Sequence, residues 1–200
     1  MRDTDAPRPV GPSHGPRAVL IGTMAAGKTS VGRQLASLWG VGFVDLDAEI
    51  VARAELTIPE LFERHGEAGF REAETLVLED LLRTHDGVLA LGGGAPMTPA
   101  NRRLLSHVPV VLLEIDEELA AARLHGGTGR PMLAGQDPLT RWRALRDERL
   151  PVYRALATER VDGGAGPPQA VARRIAHRLD ERTAMCGPDP CPDHTVKERS

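Results

Sequence analysis

Residues 22–29 read GTMAAGKT, which sets Gly22, Gly27, Lys28 and Thr29 at the fixed positions of the pattern G-x-x-x-x-G-K-S/T. A short apolar run, AVLI (18–21), precedes the motif, and a helix-like stretch, SVGRQLASLW (30–39), follows it. Glycines let the backbone curl so that successive N–H groups face phosphate oxygens, and a helix starting beside Lys28 adds the positive end of its dipole. The Thr29 hydroxyl is then placed to serve Mg²⁺. Composition makes the lysine informative: of 25 basic residues only Lys28 and Lys197 are lysine. A compact ammonium fits beside β- and γ-phosphates where a planar guanidinium does not. The motif predicts a nucleoside triphosphate site and leaves the reaction open.

Further clusters follow along the chain. FVDLDAEI (43–50) carries Asp45 and Asp47 two residues apart. On an extended segment both carboxylates would point to one side, toward the edge of a sheet where ligands bind. One would serve the Mg²⁺ shell and the other would take or orient a hydroxyl proton; the competing reading makes Asp47 a helix cap. HGEAGFREAE (65–74) holds Arg71 near a helix start, either as a ligand cation or as a partner for Glu74 at i+3. LALGGGAPM (89–97) puts Gly92, Gly93 and Gly94 directly after an apolar run, which allows close backbone approach to a ligand. RLHGGTGRPML (123–133) has the composition of a lid that brings an arginine onto a transferring phosphate and excludes water. RDERLPVYR (146–154) offers Arg149.

The elements that must position these residues alternate. Short apolar stretches at 18–22, 42–46, 87–91, 108–115 and 158–162 read as strands buried on both faces. Helical stretches lie between them at 29–39, 47–54, 58–64, 68–84, 99–106, 117–123, 138–156 and 168–181. The alternation predicts a three-layer α/β/α sandwich with a five-stranded parallel sheet and right-handed crossovers. Its strand order is not derivable from sequence.

Two hundred residues with 41% hydrophobic content suit one globular domain. Aromatics at 3% and a net charge of −3 argue against nucleic acid and membrane surfaces as partners. No guanine-specifying NKxD is present, and there is no insert large enough for a motor. The N-terminus has no apolar signal segment and no run is long enough to span a bilayer, so a reduced cytoplasmic location is expected. Residues 1–17 and 183–200 read as a disordered leader and tail around a domain at 18–182. Cys186 and Cys191 lie in that tail and make neither a disulfide framework nor a zinc site.

From the first strand to about residue 182 the chain resembles the shikimate kinases, small P-loop kinases of the nucleoside-monophosphate-kinase-like type. The resemblance rests on GTMAAGKTSVGRQLA, FVDLDAEI, IPELFERHGEAGFREAE, LGGGAPM, GRPML and ERLPVY, in that order and spacing. It implies ATP-dependent phosphorylation of the 3-hydroxyl of shikimate, a step toward chorismate and aromatic amino acids, by a monomer. Carried over by position, Asp47 is the candidate base, and Arg71 and Arg149 bind the substrate carboxylate. Gly92, Gly93 and Gly94 line the acceptor pocket, and Glu74 steadies Arg71. Lys28 and Arg130 stabilise the moving phosphoryl group. Gly22, Ala25, Ala26, Gly27, Lys28, Thr29 and Ser30 hold the nucleotide phosphates, with Arg123 against adenine and Pro168 near its other face. Thr29 and Asp45 serve Mg²⁺. The resemblance also implies an acceptor-binding region at about 46–74 and a lid at about 124–137.

Two features depart from the family pattern. Ala25 stands where glycine is frequent, and the adenine-side loop DGGAGPP (162–168) has no arginine. A related kinase for another hydroxy-acid such as gluconate shares the carboxylate-binding arginines. A nucleotide-binding module without turnover would need no acceptor-side aspartate.

Overall fold

The computed structural model describes residues 15–125 and 137–185. Five strands form one parallel sheet: β1 (Ala18–Ile21), β2 (Phe43–Asp45), β3 (Val88–Ala90), β4 (Val110–Glu114) and β5 (Glu159–Asp162), in the order β2-β3-β1-β4-β5. β1 is central. Val19 faces Leu89 of β3 on one side and Val110 of β4 on the other. Every residue of β1 is fully buried, as expected of a strand covered on both faces.

Helices cover the two faces, giving the three-layer sandwich. On one side α1 (Lys28–Trp39) and α7 (Pro168–Met185) pack Leu35, Ala36, Val171 and Ile175 onto Leu20, Ala90 and Val111. On the other side α2 (Leu46–Ala54), α3 (Ile58–Thr84), α4 (Pro99–Leu105) and α6 (Pro138–Leu156) pack Leu46, Ile50, Leu78, Leu105 and Tyr153 onto Val19, Ile21, Leu89 and Leu112. Neighbouring residues of β1 thus feed opposite cores, which is the period-two geometry of a strand. α5 (Glu117–His125) precedes the expected lid and packs against α6.

The eight expected helices appear as seven among the described residues, because 58–64 and 68–84 form one element. Their junction is real: Gly66 stands at φ 66°, ψ −178°, outside helical space. The first segment therefore points independently of the second, which carries Arg71. α3 starts with a capping box, in which the Glu60 backbone N–H donates to Thr57 Oγ1 and the Thr57 N–H donates to Glu60 Oε2 at 2.7 Å.

Arg17, at the end of the expected leader, donates its backbone N–H to Gly87 at 2.8 Å and lays its guanidinium over Trp39 at 4.1 Å. The lid arginine Arg130 and both cysteines lie outside the described residues. Among the described residues no helix is long and apolar enough to cross a membrane.

The capping box has a measurable consequence. Thr57→Ala leaves an N-terminal donor of α3 unsatisfied and is expected to lower unfolding free energy by about 1 kcal/mol. Denaturant melting measures this directly; an unchanged midpoint would show that the box contributes nothing to the fold.

Candidate active site

The loops after β1, β2 and β3 leave the same edge of the sheet, where parallel α/β sheets bind ligands. They border a cleft of about 650 Å³. One end is the phosphate loop. Gly27 caps α1 with a left-handed backbone (φ 91°) and offers no side-chain acceptor to the helix's first N–H groups. Those donors are therefore aimed at the cleft, the arrangement that binds an anion. Lys28 arches back over the loop and donates to the carbonyls of Gly22 at 2.9 Å and Thr23 at 3.0 Å. Ala25, Ala26 and Ser30 line the same wall, and Gly22 closes the base of the loop.

Beside it, the Thr29 hydroxyl donates to Asp45 Oδ2 at 2.9 Å. A hydroxyl and a carboxylate side by side make a hard all-oxygen donor pair. Such a pair fits Mg²⁺, which keeps several waters and takes one or two protein oxygens together with phosphate.

Asp47 lies beyond Asp45. The expected extended geometry is corrected here: β2 ends at Asp45, the helix begins at Leu46, and Asp47 sits in the first turn of α2. Leu46 is fully buried and drives the chain into the helix at that point. Both carboxylates still face the cleft. Neither acts as a side-chain cap: Asp45 holds the N-cap position without a capping hydrogen bond. Burial pushes the Asp47 carboxyl above its ordinary value, and the charge of Asp45 adds to this, while Lys28 and Arg71 pull the other way. A raised carboxyl is the stronger base toward a hydroxyl proton.

The far end of the cleft is cationic. Arg71 Nη1 donates to both oxygens of Glu74, at 3.1 and 2.9 Å, and Glu74 is only 1% exposed. The two readings of Arg71 are thus compatible, since the pair orients a guanidinium that also lines the cleft. Burial raises the Glu74 carboxyl and the Arg71 charge opposes that. Arg149 enters from α6 on the other side.

The glycine turn after β3 joins these groups. A methyl at Gly92 would overlap the Asp47 carboxylate, and one at Gly94 would sit 2.7 Å from both terminal nitrogens of Arg71. A methyl at Gly93 would sit 3.1 Å from Arg149. The residues are glycine because three functional side chains occupy the space a Cβ would need.

At the nucleotide end Arg123 donates to the carbonyls of Ala25 at 2.8 Å and Gly163 at 3.3 Å, so it spans the phosphate loop and the adenine-side loop. Pro168, the first residue of α7, lines that side. Sequence reasoning did not single out Trp142, Tyr153, Asn101 or Phe62. Trp142 Nε1 donates to Met24 in the phosphate loop at 3.1 Å, and the Tyr153 hydroxyl donates to the Gly93 carbonyl. Asn101, fully buried, donates to Ala95 at 2.9 Å and supports the glycine turn from below. Phe62 stacks on Phe70 at 4.6 Å and forms an apolar wall. The spacing of Trp142, Arg149 and Tyr153 on one helical stripe was the available signal.

The raised Asp47 carboxyl sets a stability prediction. Its ionised form costs the fold, so the contribution is absent below the ordinary carboxylate value of 3.8 and grows as pH rises through the raised folded value. Asp47→Asn is therefore expected to melt higher than the parent at neutral pH, with the gap closing in acid. Calorimetry across pH decides it; a variant that melts lower at neutral pH would mean Lys28 and Arg71 over-compensate the burial.

Comparison with known proteins places this geometry. The family model for shikimate kinase matches residues 24–180. A shikimate kinase from Mycobacterium marinum is 44% identical over 173 residues, covering 86% of this chain and 94% of that protein. One from Mycobacterium avium is 48% identical over 164 residues, covering 82% and 93%. The structure of shikimate kinase from Acinetobacter baumannii in complex with shikimate is similar at a TM-score of 0.78 and 37% identity, covering 86% of this chain and 96% of that one. A gluconokinase from Sinorhizobium meliloti reaches a TM-score of 0.54 at 20% identity, covering 87% and 99%, and shares the fold alone. The chain belongs to the shikimate kinase family.

Proposed function

We propose that the cleft transfers the γ-phosphoryl group of ATP to the 3-hydroxyl of shikimate, giving shikimate 3-phosphate and ADP. The observation that carries this reading is the division of one cleft into a phosphate-binding end at Lys28 and Thr29 and a carboxylate-binding end at Arg71 and Arg149, with Asp47 between them. An anionic carbocyclic acid needs cations away from its reacting hydroxyl, and arginine binds carboxylates in a two-pronged way.

Each residue has a role in this reading. Arg71 and Arg149 anchor the acceptor carboxylate, and Phe62 and Phe70 cover the ring. Binding energy from that remote end is used to align the hydroxyl. Asp47 accepts the hydroxyl proton as the new oxygen–phosphorus bond forms and the bond to the β–γ bridging oxygen breaks, that oxygen leaving with ADP. Lys28 and Arg130 offset the charge on the transferring group, where phosphoryl transfer depends on positioning and charge rather than covalent help. Thr29 and Asp45 would hold Mg²⁺, Asp45 through water. When bound, the ion would offset the negative charge of the nucleotide phosphates. Arg123 and Pro168 flank the adenine.

The enzyme is read as a cytoplasmic monomer in aromatic amino acid biosynthesis. Support comes from the family, from a net charge of −3, and from the lack of a membrane-crossing helix among the described residues.

ADP release from the purified protein with MgATP tests the reading. Shikimate is expected to stimulate release strongly and gluconate is not; stimulation by gluconate alone would move the acceptor. Lys28→Met is expected to remove nearly all turnover, since the transition-state charge loses its partner. A variant retaining most activity would refute the role of Lys28. Arg71→Ala is expected to weaken acceptor use by roughly 2–5 kcal/mol, as for a desolvated charge pair. Unchanged shikimate kinetics in that variant would reject the carboxylate clamp.

A further inference from the structure

Arg71 and Arg149 face the same pocket but are held differently. Arg71 is locked by the buried Glu74. Arg149 forms no ion pair with a carboxylate among the described residues, and its Nε is buried without a hydrogen-bond partner there. A long, flexible cation held only by loose packing would lose rotamer entropy on every binding event. Something else must set its position.

α6 supplies it. Tyr153 stands one turn beyond Arg149, is fully buried, and points its hydroxyl at the glycine turn. The hydroxyl donates to the Gly93 carbonyl, and the Arg149 guanidinium lies against the same glycine. A Cβ on Gly93 would lie 3.1 Å from Arg149 Nη1 and 3.4 Å from the Tyr153 oxygen. A phenol has one proton to give and lone pairs to accept with, so an oxygen that donates to Gly93 can still accept from a guanidinium beside it. At the other end of the helix, Trp142 is 3% exposed and donates to Met24 in the phosphate loop. Residues 142, 149 and 153 are separated by seven and four positions, so they share one stripe of the helix. The two pins lie eleven steps apart along the helix, about 16 Å at 1.5 Å per residue.

We propose that α6 is a strut pinned to the phosphate loop by Trp142 and to the glycine turn by Tyr153, and that Tyr153 is the positioning residue that aims Arg149 at the acceptor. This deepens the functional reading above and rests on it. Tyr153 does for Arg149 what Glu74 does for Arg71, with a neutral hydroxyl in place of a carboxylate. The neutral partner leaves the full charge of Arg149 for the substrate. The turn that Tyr153 fixes is the one against which Asp47 and Arg71 also rest. The acceptor site and the phosphate loop are therefore registered to a single rigid element.

Tyr153→Phe keeps the ring and removes the hydroxyl that bonds Gly93 beside Arg149. The expected result is a rise of five-fold or more in the shikimate KM with the ATP KM unchanged within two-fold and little change in melting temperature. In an Arg149→Ala background the same substitution is expected to have no further effect on the shikimate KM, because the two residues act as one unit. Trp142→Phe is expected to do the reverse, weakening MgADP binding by calorimetry while leaving the acceptor KM nearly unchanged. Two results would overturn the strut: a Tyr153→Phe enzyme matching the parent in shikimate KM, or effects of Tyr153→Phe and Arg149→Ala that simply multiply. A rise in both KM values that follows the loss in melting temperature would reduce Tyr153 to a packing residue, which also overturns it. The calorimetric arm needs no acceptor. A parent enzyme inert toward shikimate would therefore count against the acceptor assignment, whereas equal MgADP affinity in the parent and Trp142→Phe would count against the strut.

Discussion

The contact on which the site depends is the approach of three charged side chains to one stretch of bare backbone. Asp47, Arg149 and Arg71 come from α2, α6 and α3, and each rests against a different glycine of the turn at 92–94. A strand end is the stiffest place to anchor such a turn. β3 lies between β2 and β1, and Leu91 continues the pairing by donating its N–H to Leu20 at 3.0 Å. Below the turn, Asn101 holds the Ala95 carbonyl, and Thr75 ties Asn101 to the backbone of Arg71. The template is thus fixed from the sheet, from α4 and from α3 before any ligand enters. Preorganisation of this kind lowers the reorganisation needed during transfer.

The same crowding makes the site costly to fold. Asp45, Asp47 and Glu74 share a region with Lys28, Arg71 and Arg149, and both Asp47 and Glu74 are raised by burial despite the cations around them. For Glu74 two hydrogen bonds from Arg71 offset part of the cost. For Asp47 the charges of Lys28 and Arg71 offset part of it, while the charge of Asp45 adds to it. A residue that a stability-optimised sequence would remove has been kept in a half-buried position. Such local losses concentrate where function requires them.

Much of this was legible in the sequence. The strands could be located because apolar runs buried on both faces lack alternation, and each expected strand overlaps an observed one. Lys28 stood out through the phosphate-loop pattern and the rarity of lysine, whereas Asp47 and Arg71 also had structural readings and took their roles, like Arg149, from the resemblance. What was not legible depended on distance along the chain. The strand order needs contacts such as Val19 with Val110 that no local pattern encodes. The partners of Gly92, Gly93 and Gly94 lie on three other elements, so the glycines could be read only as room for a ligand. Tyr153 and Trp142 are buried, and the sequence does not reveal where a buried hydroxyl or indole N–H is aimed. Asp47 was placed correctly for a partly wrong reason, because the chain turns helical one residue earlier than an extended reading assumes.

Ala25 shows how the loop tolerates a residue that its backbone disfavours. Its φ is 65°, in the left-handed region, where a Cβ costs about 1–2 kcal/mol. Glycine would sit there without that cost. The conformation persists because the surrounding contacts over-determine it: Arg123 holds the Ala25 carbonyl, Trp142 holds that of Met24, and the Ala26 N–H returns to Thr23 at 3.3 Å. In exchange, a methyl group makes the unfolded loop less free than glycine would, which recovers part of the strain. The departure at Ala25 and the arginine-free adenine loop are then linked, because Arg123 bridges the Ala25 carbonyl to Gly163 of that loop. One guanidinium both steadies the strained turn and braces the adenine side, and a glycine at 25 would ask less of it.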